Sequence, residues 1–133
     1  MPQPLNVMNT LAPDTEIPQI NEEHLDVLVS LAEDEPKEFI NDLLNSYTQA
    51  WPGLLEQIKT SSQSKNSESL KTAIHQLNGS SANIGLFRLC QLCRNIEDSL
   101  ADQSFTDYDN CPQAIEEEYN SSLEKLKSYI NNI

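Results

Sequence analysis

The sequence predicts an all-α protein: an antiparallel four-helix bundle with an additional N-terminal helix across one end. Apolar residues recur at helical spacing in each long segment, and no strand-type alternation persists anywhere. Between these segments lie polar stretches carrying Asn, Ser and Pro, the residues that stop one helix and start the next. At 133 residues the chain fits one domain. Residues 1–19, with four of the seven prolines and little periodicity, read as a tail, and residues 20–133 as the bundle. Leu5, Val7, Met8 and Leu11 could still pack as a short turn.

The first helix starts at Asn21, a good N-cap, with Glu22 and Glu23 opposite the positive end of the dipole. Ile20 and Leu25 have the spacing of a hydrophobic staple. Leu25, Leu28, Val29 and Ala32 are expected to face inward, and His24 to be an ordinary surface histidine. Pro36 suits the start of the second helix, after Asp34 or Glu35. Its apolar series is Phe39, Ile40, Leu43, Leu44, Tyr47, Trp51, Leu54, Leu55 and Ile58. The phase is kept through Pro52, which predicts a kink rather than a break, and Trp51 reads as a core aromatic.

Residues 60–66 read as a polar loop, with Asn66 or Ser67 capping the third helix. After Gly85 a fourth helix turns Leu86, Leu89, Cys90, Cys93, Ile96 and Leu100 inward and ends near Gln103. The acidic loop 104–110 has Phe105 or Tyr108 as its anchor. Pro112 opens the fifth helix, with the stripe Ile115, Tyr119, Ser122, Leu123, Leu126, Ile130 and Ile133. Glu116, Glu117 and Glu118 read as a solvated face near the positive helix end rather than a metal site.

Composition narrows the function. With 21 acidic and 8 basic residues, the net charge of -13 argues against nucleic acid or an anionic membrane as partner. No stretch is apolar enough to span a bilayer, and Met1-Pro2-Gln3-Pro4 lacks the pattern of a signal peptide, so a cytoplasmic protein is expected. Three cysteines make no disulfide framework. Cys90 and Cys93 form a C-x-x-C, but they share the apolar stripe of their helix and have no further ligands nearby, so they read as core. The three glycines are Gly53, Gly79 and Gly85, with no phosphate-binding loop, so neither ATP binding nor autokinase activity is expected.

The third helix carries the chemistry. Wound at about 100° per residue, Leu70, Ala73, Ile74, Leu77, Ser81 and Ile84 share one side, and His75 points away from it. Gly79 and Ala82 follow on the histidine's stripe, so no bulky neighbour crowds the imidazole on its C-terminal side. Asn78-Gly79 is also a turn signal, which could end the helix at Leu77 with Ser80 or Ser81 capping a new one. The phase kept by Ile84 favours a continuous helix, although four weak helix formers in a row cost about 2 kcal/mol.

The run from His75 to Gly85 resembles the active helix of histidine-containing phosphotransfer (HPt) domains, whose motif is approximately His-x-Leu-Lys-Gly-x-Ser/Ala with a later Gly. His75, Leu77, Gly79, Ser81 and Gly85 match, while Asn78 stands where the family usually has Lys. The resemblance extends over residues 20–131. It implies that His75 accepts a phosphoryl group from an aspartate of a receiver domain and passes it to another. The receiver would belong to a hybrid sensor kinase or a response regulator. It would supply a divalent metal such as Mg, the chain itself having no intrinsic cofactor. Gly79 and Ala82 would lie under the docked partner, and the family resemblance implies a monomer. Asn78 brings a hydrogen-bond donor but no charge, and Lys71, one turn before His75, could partly replace the missing lysine. The alternative is a module on the same fold that binds a receiver without carrying phosphoryl flux.

Overall fold

The structure, a computed structural model, describes residues 10–133. Leu5, Val7 and Met8 lie outside the described residues. Five helices follow one another: α1 Glu22–Leu31, α2 Pro36–Gln63, α3 Ser67–Asn83, α4 Phe87–Ala101 and α5 Cys111–Asn131. Helices α2 to α5 each pack on the next, and α5 closes back on α2. Cross-helix pairs run in opposite directions along neighbouring helices: Ser61 meets Ser69 while Tyr47 meets Ser81 across α2 and α3. The result is an antiparallel bundle.

Helix α1 lies across the end where α3 stops and α4 begins. Its N-cap Asn21 accepts from the His24 amide through its side chain and donates its own amide to the Gly85 carbonyl. Midway along α1, Asp26 accepts from Tyr129 of α5 at 2.8 Å. Ile20 and Leu25, the staple pair, are both buried. The rest of α1 is less buried than its sequence predicts: Leu28, Val29 and Ala32 are half-buried. One layer of core beneath a crossing helix covers only a narrow stripe.

The core is the stripe of each bundle helix, including Ile40, Leu44 and Ile58 of α2, Leu70, Ile74 and Leu77 of α3, Leu89 and Ile96 of α4, and Ile115 and Leu126 of α5. Trp51 stacks flat on Tyr119 across the α2/α5 seam, with ring centroids 3.7 Å apart. Helix α2 continues through Pro52. Two stripe residues depart from expectation. Phe39 is 37% exposed and Ile133 is 40% exposed, each at the terminal end of its stripe.

The expected loop 60–66 is instead helical as far as Gln63, and Ser61 and Ser62 are buried. Ser61 pairs with Ser69 of α3 at 2.8 Å, and Thr60 donates to the Glu56 carbonyl. Glu118 likewise is buried rather than solvated, accepting from Ser122 and from Gln19. Gln19 belongs to the segment before α1, which also receives Arg88: the guanidinium donates to the carbonyls of Ile17 and Thr15. Leu11 is buried at the far end of that segment. Phe105 is buried and meets Tyr108 edge-on, anchoring the acidic loop.

Candidate functional site

Helix α3 is continuous from Ser67 to Asn83, through Asn78, Gly79, Ser80 and Ser81. Its N-cap is Asn66, which accepts from the Ser69 amide. The weak helix formers are supported from below. Ser81 is fully buried, and its hydroxyl meets that of Tyr47 at 2.6 Å. Burial raises the Tyr47 hydroxyl well above its ordinary pKa, an effect partly offset by the bond to Ser81.

The C-terminal end of α3 is closed by Gly85 at φ +79, a conformation that suits glycine. A Cβ there would lie 3.4 Å from both His24 Cδ2 and Leu25 Cγ. His24 is more than a surface histidine: it is half-buried, and its Nε2 lies 2.9 Å from the Asn83 carbonyl. Helix α1 thereby supplies a partner for one of the carbonyls that the end of α3 leaves open.

His75 stands on the opposite side of α3 from this core, with its side chain 78% exposed. Its Nδ1 lies 2.9 Å from Glu97 Oε2 on α4. Asn78 donates from Nδ2 to the other oxygen of the same carboxylate at 3.3 Å. Glu97 therefore holds both residues, and it is itself only 16% exposed. With Nδ1–H donated to a carboxylate, the free lone pair of a neutral imidazole is on Nε2, the nitrogen that no protein group engages among the described residues.

The predicted site residues thus divide. His75 and Asn78 come together on Glu97. Gly79 and Ala82 are exposed along the same face, and among the described residues beyond the adjoining helix backbone nothing lies within 4 Å of where a Gly79 Cβ would be. Lys71 is exposed one turn before His75, and no hydrogen bond or ion pair holds it among the described residues. Sequence reasoning missed Glu97. A signal was present: it falls one turn after Cys93 and two after Cys90, at the border of the apolar stripe of α4.

Cys90 and Cys93 are buried free thiols, as their stripe predicts. The Cys90 thiol donates to the Asn78 carbonyl at 3.5 Å. Burial pushes Cys90 up to about 11 and Cys93 well above the usual thiol range. No group of three or more His, Cys, Asp or Glu able to hold a metal occurs among the described residues. No described helix is long and apolar enough to cross a membrane.

Comparison with known proteins agrees with this architecture. The crystal structure of histidine-containing phosphotransfer protein B from Pseudomonas aeruginosa PAO1 is similar at a TM-score of 0.72 and 20% identity, covering 87% of this chain and 97% of that one. At that identity the likeness carries the fold. A search of curated proteins returns no match. The family model for the Hpt domain matches residues 42–129, which include α3, α4 and most of α2 and α5. Hpt domains interact with receiver domains in phosphorelays. The chain belongs to the Hpt domain family and serves histidine phosphotransfer in phosphorelay signalling.

Proposed function

We propose that His75 is the phosphoacceptor, relaying a phosphoryl group between aspartates of receiver domains in a multistep pathway. One observation carries this reading: an exposed imidazole whose Nδ1 is held by Glu97, leaving Nε2 open to solvent. In the transfer, Nε2 attacks the phosphorus of an aspartyl phosphate. The N–P bond forms as the P–O bond to the aspartate breaks, and the carboxylate leaves with the bonding pair. The proton on Nδ1 stays where it is, and Glu97 stabilises the positive charge that develops on the ring. Nothing else covalent is required of this chain, because phosphoryl transfer is mostly positioning and charge stabilisation.

The receiver, from a hybrid sensor kinase or a response regulator, supplies the divalent ion such as Mg. It docks over Gly79 and Ala82, where the absence of large side chains lets a second backbone approach. Asn78 acts through Glu97, and Lys71 adds positive charge beside the ring. The chain works as a cytoplasmic monomer, with residues 20–133 as the functional domain and 1–19 as an N-terminal extension.

Incubation with a receiver carrying labelled phosphate tests the reading. Acid-labile, base-stable label on the wild type that is absent from His75→Gln supports it. Tight receiver binding with no label transfer would instead favour a module that only binds.

A further inference from the structure

The bond between His75 and Glu97 creates an electrostatic difficulty once a phosphoryl group arrives. That group adds about two negative charges to a ring whose other nitrogen already faces a carboxylate. The chain as a whole carries -13. Asn78 brings no charge, and its amide is taken by Glu97. Of the chain's 8 basic residues, Arg88 is committed to the carbonyls of the N-terminal segment.

Arg94 is differently placed. On α4, the side chains of Cys90 and Glu97 reach α3 at Asn78 and His75. Arg94 stands between them along the helix axis and, at about 100° per residue, lies about 40° from Cys90 and about 60° from Glu97 around it, on the exposed side. It is about 4.5 Å along the helix axis from Glu97, yet both Glu97 oxygens are engaged by α3. Arg94 is exposed, and no hydrogen bond or ion pair holds it among the described residues. Its positive charge lowers the Cys90 and Cys93 thiols against the larger rise from burial.

We propose that Arg94 is the cation that contacts the phosphoryl group of phospho-His75, its guanidinium folding over the α3/α4 seam from the helix that carries Glu97. This rests on the reading of His75 as phosphoacceptor. The planar fork of arginine takes two phosphoryl oxygens at once, which the point charge of Lys71 does not. The positive charge that the family places on the histidine's own helix comes here from the neighbouring one.

Phosphoramidate, a small phosphoryl donor, tests this without any receiver. The full chain is phosphorylated as wild type, Arg94→Gln, Arg94→Lys, Lys71→Gln and His75→Gln, and followed by 31P NMR. Arg94→Gln is expected to shorten the phosphohistidine half-life about 5-fold and to raise the midpoint of its 31P titration by about half a pH unit. Arg94→Lys should restore part of both. The same half-life and midpoint in Arg94→Gln as in the wild type would overturn the assignment. So would both changes appearing in Lys71→Gln and not in Arg94→Gln. If the wild type takes no label, or His75→Gln still takes it, the phosphoacceptor reading falls and this assignment with it.

Discussion

Glu97 Oε2 lies 2.9 Å from His75 Nδ1, and this contact joins α4 to the exposed ring of α3. The carboxylate fixes which ring nitrogen carries the proton and leaves the lone pair of the other free to attack. Glu97→Ala should therefore slow phosphorylation of His75 by phosphoramidate about 10-fold. Long-range 1H–15N spectra of the neutral ring should show Nδ1–H in the wild type and a shift toward Nε2–H in the variant. Unchanged spectra would remove Glu97 from this role.

Asn78→Lys introduces an ammonium next to Glu97 Oε1, the oxygen that the Asn78 amide now engages. The added charge should lengthen the phosphohistidine half-life by about 3-fold. An unchanged half-life would show that the residue at this position does not act on the phosphoryl group through its charge.

Gly79→Ala separates folding from docking. Among the described residues nothing beyond the adjoining helix backbone lies within 4 Å of a Cβ there and the residue is inside a helix, so the variant should be more stable by about 1 kcal/mol in urea titration. Transfer from a phosphorylated receiver should fall by 10-fold or more, on the order of a one-methyl clash across a close interface, while labelling by phosphoramidate stays at the wild-type rate. Equal loss with both donors would mean that the methyl disturbs the ring and not the docking.

The buried pair Tyr47 and Ser81 has two unequal halves. Ser81→Ala leaves the Tyr47 hydroxyl buried without its partner and should cost about 1–3 kcal/mol. In Tyr47→Phe the Ser81 hydroxyl can turn back to a carbonyl of its own helix, so the loss should be smaller, about 1 kcal/mol. The double variant should be no less stable than Ser81→Ala alone. Denaturant midpoints at constant m-value check the order.

The three thiols give a pH dependence. Burial lifts Cys90 to about 11 and Cys111 to about 12, from an ordinary value of 9.0. A folded pKa raised above the unfolded one contributes stability that is complete below the unfolded value and is lost as pH rises through the folded one. Unfolding free energy should therefore decline between pH 9 and 11, the window set by Cys90. At pH 8 a thiol reagent should label none of the cysteines in the folded chain and all three after denaturation.

Much of the scaffold was legible because its signals are local. Asn21 and Asn66 cap the helices that they precede, and Ile84 keeps the phase of Leu70 and Leu77 through a glycine. What escaped depends on which helix lies opposite which. Glu97 borders the apolar stripe of α4, but its partners His75 and Asn78 show only when α4 is laid against α3. Ser61, Ser62 and Glu118 look like surface residues by type, yet each lies on a helix face that a neighbour covers. His24 gains its role from a carbonyl 59 residues away. Phe39 and Ile133 err the other way, since periodicity does not show where a neighbouring helix stops.

The flat stack of Trp51 on Tyr119 makes the chain its own optical gauge. The sequence has a single tryptophan, and it bridges α2 and α5, away from the α3/α4 seam that holds His75 and Glu97. Its emission reports whether those two helices remain joined. Substitutions around the imidazole can then be sorted in one cuvette: a variant that loses transfer with an unaltered spectrum has lost chemistry, and one whose emission shifts has lost the bundle.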